Sequence, residues 1–187
     1  MDAYIFRIGN LMGRDEDGLF QHNYSTNSML NRLTSFIKIK CIPDTLKYVD
    51  FEFTPVDYAA KASVLLAKYA NKSNRIFHVC NTSYLNAEDF LRLYSEMYEQ
   101  MEFISLEEFN KLIKSLLNKS EEMSFKLRDI IEELNFDHKR RNCKIIVKAD
   151  FTAKFLENLD FKWKKVDKEY FKKVFDYLIN VGYIENN

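Results

Sequence analysis

Glycine is scarce. The 187 residues hold four glycines and two prolines, whereas average usage of about 7% would supply roughly 13 glycines. A loop that cradles nucleotide phosphates needs two or three glycines within a few residues, between a strand and a helix. Gly9, Gly13, Gly18 and Gly182 provide neither that spacing nor that context. A self-contained nucleotide site of the Rossmann or P-loop kind is therefore excluded. Net charge is absent too: 28 Lys and Arg balance 28 Asp and Glu, so whole-molecule attraction to nucleic acid or to an anionic membrane is not expected. No stretch approaches the roughly 18 consecutive apolar residues of a membrane span. Met1-Asp2-Ala3-Tyr4-Ile5 does not open a signal peptide, so a cytoplasmic location is expected. The three cysteines, Cys41, Cys80 and Cys143, are odd in number, far apart and without a C-x-x-C pair, which fits reduced thiols.

What is present suits a folded core. The chain is 47% hydrophobic and 15% aromatic, and its length allows one domain or a large and a small lobe. Tyr4-Ile5-Phe6-Arg7-Ile8 reads as a buried strand, and residues 9–24, with three of the four glycines, as a long loop. Met29, Leu30, Leu33, Phe36 and Ile37 recur at helical spacing up to about Lys40, with Pro43 blocking continuation. Val49, Phe51 and Phe53 alternate with Asp50 and Glu52, the period of a strand with one wet face. Thr54, Pro55 and Asp57 predict a helix start, with Thr54 as cap, and Ala59, Ala60, Ala62 and Ala67 suggest close packing on a sheet. Residues 75–80 form another short apolar strand. Asn86 then caps a helix, Phe103-Ile104 is briefly extended, and Ser105-Leu106-Glu107-Glu108 reads as a capping box. Further helices are expected over 123–134, 152–159 and 167–181, the last ended by Gly182. The fold class is mixed α/β and mostly helical, with two or three strands early.

The chemistry-bearing residues are few. His78 and Cys80 lie two apart on a strand, but zinc takes about four ligands, three or more of them from the protein, so no metal site is expected. His22 and His138 read as ordinary surface or core residues. The basic run His138-Lys139-Arg140-Arg141-Asn142-Cys143-Lys144 reads as a solvated loop or as a contact for an acidic partner. Glu107-Glu108 and Glu121-Glu122 read as helix-start carboxylates. The segment from Arg7 to Asn23 differs, because a buried strand runs straight into glycines and polar groups. In open α/β sheets ligands sit beyond the carboxyl ends of strands, although a plain strand-to-loop exit accounts for the residues equally well.

Ile5-Phe6-Arg7-Ile8-Gly9-Asn10-Leu11-Met12-Gly13-Arg14, followed by Gly18-Leu19-Phe20-Gln21-His22-Asn23, resembles the strand and loop after the catalytic helix of extended short-chain dehydrogenase/reductases. The nearest branch is the thioester reductase domains that end nonribosomal peptide synthetases. Phe53-Thr54-Pro55-Val56-Asp57-Tyr58-Ala59-Ala60-Lys61-Ala62 resembles that branch's helix start, and Ile76-Phe77-His78-Val79-Cys80-Asn81 its last sheet strand. Thr152, Phe155-Leu156, Phe161-Lys162-Trp163 and Tyr183-Ile184 resemble its helical C-terminal end. The family's reductases use a Gly-rich dinucleotide turn and a Ser/Thr-Tyr-Lys triad with Tyr-x-x-x-Lys spacing, and these have no counterpart here. Tyr58 and Lys61, like Tyr170 and Lys173, are spaced by three, and Tyr4, Tyr24, Tyr48, Tyr69, Tyr94 and Tyr98 have no lysine four residues on. No catalytic residue is assigned.

The resemblance implies a C-terminal, substrate-side portion of such a reductase, inactive alone and binding no cofactor tightly. In the intact enzyme NADP or NAD would serve as cofactor, with Gly9, Asn10 and Leu11 beside its nicotinamide end. Arg14, Gln21 and Asn27 would line the substrate or pantetheine channel. The implied partners are a missing N-terminal cofactor domain and a carrier protein bearing a phosphopantetheine-linked acyl or peptidyl thioester. Residues 1–85 would end the reductase sheet and carry the substrate loop; residues 86–187 would form a helical subdomain facing substrate and carrier. Without the missing strands an open sheet edge remains, so a homo-oligomer is expected. Two other readings stand beside this one. The first is a non-catalytic module that binds a carrier protein or peptide, and the second is the substrate lobe of a sugar-nucleotide epimerase-like dehydrogenase.

Overall fold

The computed structural model describes residues 3–71, 75–117 and 148–184. In chain order they form β1 (Ile5–Ile8), β2 (Leu11–Met12), a 3-10 turn at Tyr24–Thr26, α1 (Ser28–Ile39), β3 (Cys41–Pro43), a 3-10 turn at Asp44–Leu46 and β4 (Asp50–Glu52). Next come β5 (Thr54–Pro55), α2 (Val56–Tyr69), β6 (Ile76–Val79), β7 (Tyr84–Asn86), α3 (Ala87–Met97), β8 (Glu102–Ile104), α4 (Leu106–Leu117), α5 (Asp150–Glu157) and α6 (Lys168–Asn180). The architecture is mixed α/β, as the sequence predicts; the strands, expected as two or three of one sheet, are eight short ones among the described residues, paired two by two. The expected helix over 123–134 and the basic run with His138, Arg140 and Cys143 lie outside the described residues. Among the described residues no helix is long and apolar enough to cross a membrane. Contacts divide the chain into two units, one of residues 1–21, 50–85 and 147–183, the other of 22–49, 86–146 and 184–187.

In the first unit β1 and β6 run parallel, with Ile5 opposite Ile76 and Ile8 opposite Val79. Alternation turns Tyr4, Phe6 and Phe77 to one face, where Ala59, Ala62 and Leu66 of α2 meet Leu156 of α5 and Phe161. The two alanines let the α2 backbone come close to the sheet. Ala60 and Ala67, read as part of the same packing surface, are exposed. Phe77 is fully buried, and its ring lies 6.1–6.3 Å from those of Tyr4, Phe6, Phe151 and Phe155. On the opposite face Ile5 is 54% and Ile76 49% exposed, although parallel sheets are normally covered on both sides. Among the described residues β1 has no strand on its other edge.

The start of α2 departs from expectation. Thr54 does not cap it; Pro55 stands at the cap position and no side chain supplies a cap bond. Thr54 lies in β5 instead, paired with Leu11 of β2, because its buried hydroxyl accepts the Asn81 N–H at 2.8 Å. The loop after β1 therefore contains a two-residue strand. At the other end of the unit Asp167 caps α6 by accepting from Tyr170 N–H at 2.9 Å. Gly182, at φ +72°, closes it with Gly182 N–H on Ile179 O and Tyr183 N–H on Leu178 O, the paired bonds of a Schellman end.

The second unit is built by local signals. Asn27 Oδ1 accepts from Leu30 N–H at 2.9 Å to start α1, and Lys40, at φ 58°, ends it. β3 pairs in parallel with β8, Cys41 opposite Glu102. Asn86 caps α3 through Asp89 N–H at 2.8 Å. Ser105 and Glu108 form the reciprocal capping box of α4, with bonds of 3.1 and 3.2 Å. Leu30, Leu33, Phe36, Ile42, Phe90 and Phe109 are buried in this unit, and the Phe36 and Phe109 rings lie 6.2 Å apart.

Phe77 is the centre of the first unit's aromatic cluster. Phe77→Ala will lower its unfolding free energy by about 3–5 kcal/mol. Urea unfolding followed by Trp163 fluorescence measures this, because Trp163 packs on Phe161 of the same unit at 5.1 Å.

Candidate functional site

The carboxyl end of β1 turns at Gly9. Its N–H donates to Val79 O at 3.0 Å, and the side where a Cβ would point is filled by the Glu52 carboxylate. Glu52 accepts the Asn10 N–H at 3.0 Å and the Thr54 hydroxyl, while Asn10 O accepts Thr54 N–H at 3.0 Å. Behind this corner lies Asn81, fully buried. Its carboxamide donates to Phe53 O at 2.8 Å and Lys164 O at 2.9 Å, and accepts from Ser83 N–H at 2.9 Å. Backbone donors at the strand exit are thus taken internally. Among Gly9, Asn10 and Leu11, the exposed residue is Asn10.

The loop that follows is anchored on α2, on α6 and on Lys164 between α5 and α6. Tyr170 of α6, fully buried, donates its hydroxyl to Gly13 O at 2.8 Å. Asp15 N–H donates to both Asp57 oxygens at 3.2 Å, the Asp15 carboxylate pairs with Lys164 at 3.2 Å, and Asp15 O accepts from Lys173 Nζ at 3.0 Å. Asp57 therefore holds the loop as well as favouring the positive end of α2. Gly18, at φ +76°, lies so close to the α6 backbone that a Cβ would strike Lys173 O. Arg14 and Asp17 form a bidentate pair with both bonds at 2.6 Å.

The structure brings Gly9, Asn10, Leu11, Arg14 and Gln21 into one unit, the first four within the strand exit and its loop. Asn27 lies in the other unit and its side-chain oxygen caps α1. Glu52, Asn81, Tyr170 and Lys173 escape a reading of the sequence. Glu52 looks like the wet face of an alternating strand, and nothing near the other three in sequence marks their distant partners.

Burial and charge tune several groups here. Burial, with the nearby Glu52 charge, pushes the Cys80 thiol up to about 11. Burial, then Asp57 and Asp15, raises the Tyr170 hydroxyl, so it stays a donor at all ordinary pH. Burial pulls the Lys164 ammonium down, but its hydrogen bond to Asp15 and the Asp15, Asp167 and Glu169 charges outweigh it and raise it. The Arg14 hydrogen bond, then Leu19 N–H, lowers the Asp17 carboxyl to about 2. Among the described residues no group of three or more His, Cys, Asp or Glu is arranged to hold a metal ion.

No protein-family model matches the chain. A thiolation-reductase di-domain from an archaeal non-ribosomal peptide synthetase superposes with a TM-score of 0.82 at 29% identity, over 99% of this chain and 37% of that one. The terminal R domain of the myxalamid PKS-NRPS biosynthetic pathway matches with a TM-score of 0.77 at 15% identity, over 98% of this chain and 45% of that one. The chain resembles the C-terminal portion of a thioester reductase domain. A linear gramicidin synthase polypeptide of Brevibacillus parabrevis is 23% identical over 178 residues, 95% of this chain and 3% of that protein. The chain thus spans less than half the length of the solved reductase domains it matches. Its likeness to terminal reductase domains runs from β1 to α6, in agreement with the ordered motifs.

Asp17 gives a pH test of the loop. Its folded pKa is depressed from 3.8 to about 2, so the Arg14–Asp17 contribution is complete above pH 3.8 and fades as pH falls toward 2. An NMR titration of the Asp17 carboxyl carbon will give a midpoint near 2, and Arg14→Met will raise it toward the ordinary carboxylate range, the Leu19 N–H still holding it somewhat low.

Proposed function

We propose that the chain forms the substrate-side part of an NAD(P)H-dependent reductase that releases an acyl or peptidyl group from a carrier protein's phosphopantetheine thioester. One observation carries this reading. A parallel strand ends in Gly9 and Asn10 and continues into an anchored loop bearing Arg14, within a fold shared with terminal reductase domains. That is where open α/β sheets take their ligands. Gly9, Asn10 and Leu11 would flank the nicotinamide end of the cofactor. They fit that end alone: Asn10 offers an exposed carboxamide, while the backbone donors beside it are committed to Glu52 and Val79. NAD(P)H, when bound, supplies hydride.

Arg14 and Gln21 would orient the thioester arm. Residues 86–187 would face the carrier protein. The 187 residues hold no glycine-rich dinucleotide turn and no Tyr-x-x-x-Lys pair. Phosphate binding and proton donation would therefore come from a separate cofactor domain, and the chain by itself would be inactive. Mixed with NADPH and an acyl-pantetheine thioester, it will bind the thioester by calorimetry without consuming NADPH. Loss of NADPH absorbance with this chain as sole protein, or no thioester binding, overturns the reading.

The open edge of β1, beside the half-exposed Ile5 and Ile76, supports self-association of the isolated chain through a second copy. Light scattering at micromolar concentrations will give a dimer mass, and a clean monomer overturns that part.

A further inference from the structure

The loop between Gly13 and Gly18 is closed by groups that come from the far end of the chain. Gly13 O accepts from the Tyr170 hydroxyl at 2.8 Å, and Asp15 O accepts from Lys173 Nζ at 3.0 Å. These two carbonyls flank Arg14 on either side. Tyr170 and Lys173 are three residues apart on α6 and so share a face of that helix. Gly18 packs against the same helix, where a Cβ would strike Lys173 O. The loop also closes on itself: Gly18 N–H donates to Arg14 O at 2.9 Å, Arg14 N–H to Leu19 O at 3.1 Å, and a Cβ on Gly13 would run into Gly18 O. The Arg14 backbone is fixed before and after its Cα, while its guanidinium reaches the surface and pairs with Asp17.

We infer that Tyr170 and Lys173 are positioning residues: they clamp the loop over Gly13–Gly18 in one conformation and thereby set where Arg14 meets its ligand. The ligand side of this inference rests on the thioester reading above, and the clamp itself does not. Neither residue touches the reacting atoms. Each acts through a backbone carbonyl, and burial of the Tyr170–Gly13 bond keeps water from substituting for it. Lys173 is further steadied by Glu169 at 2.9 Å, one turn back on the helix.

The test has two arms on the full 187-residue chain. In the first, amide hydrogen exchange is compared between wild type, Tyr170→Phe, Lys173→Met and Lys173→Arg. The amides of Arg14, Gly18 and Leu19 will exchange about tenfold faster in Tyr170→Phe and Lys173→Met, while α2 amides keep their protection and Lys173→Arg restores the loop. Unchanged loop exchange in both variants, or an equal rise throughout α2, overturns the clamp. In the second arm, acyl-pantetheine affinity is measured by calorimetry for Arg14→Met, Lys173→Met and the double variant. Each single change will weaken binding about tenfold, and the double will lose little more than either, because both act through one side chain. Additive losses overturn the positioning role. If wild type binds no thioester, the substrate reading fails, and the exchange arm still decides the clamp.

Discussion

Asn81 is the residue on which the first unit depends. A buried carboxamide costs several kcal/mol unless its groups are bonded, and Asn81 uses both donors, its oxygen and its own N–H. Its partners lie at Phe53, Ser83, Lys164 and Thr54, so a single side chain ties the β4–β5 corner to the turn after β6 and to the segment before α6. From Thr54 the chain of bonds continues to Glu52, and from Glu52 to the Asn10 N–H at the strand exit. Such a network stabilises only when it is complete. An apolar residue at 81 would leave two carbonyls and an N–H without their present partners.

The charges around the loop follow the same logic. Asp15 sits among Asp57, Lys164 and Lys173, and each addresses a different group of it: N–H, carboxylate and carbonyl. Asp57 and Asp15 carry like charge, yet they meet through a backbone N–H, with Lys164 close by. Arg14 and Asp17 stand apart from this cluster, on the exposed rim. The inner contacts give the loop its shape, and the outer pair lies at the surface.

Local signals explain what a reader of the sequence can see. Asn86, the Ser105–Glu108 box and Gly182 act within four or five residues of themselves, and each works as its spacing predicts. The alanine run shows that α2 packs closely, but of its four alanines only Ala59 and Ala62 are buried. Thr54 misleads because Thr-Pro-x-Asp has the composition of a helix start, whereas a partner 27 residues away claims the hydroxyl. Glu52 bonds Asn10 across 42 residues, and Tyr170 reaches Gly13 across 157. No periodicity encodes such pairings. The motif order is legible as a likeness to reductase domains, but the groups that shape the site are not.

The parallel pairing of β1 with β6 joins Ile5 to Ile76, and Tyr170 then closes on Gly13. Both contacts are long in sequence, so the chain must give up loop entropy before either compensates the loss. A ribosome delivers β1 well before the residues that complete its surroundings. Until α6 emerges, the strand exit has its glycines but not its clamp, and the apolar face of β1 awaits Leu156 and Phe161. The conformation of the Gly13–Gly18 loop is therefore among the last features of this unit to be fixed.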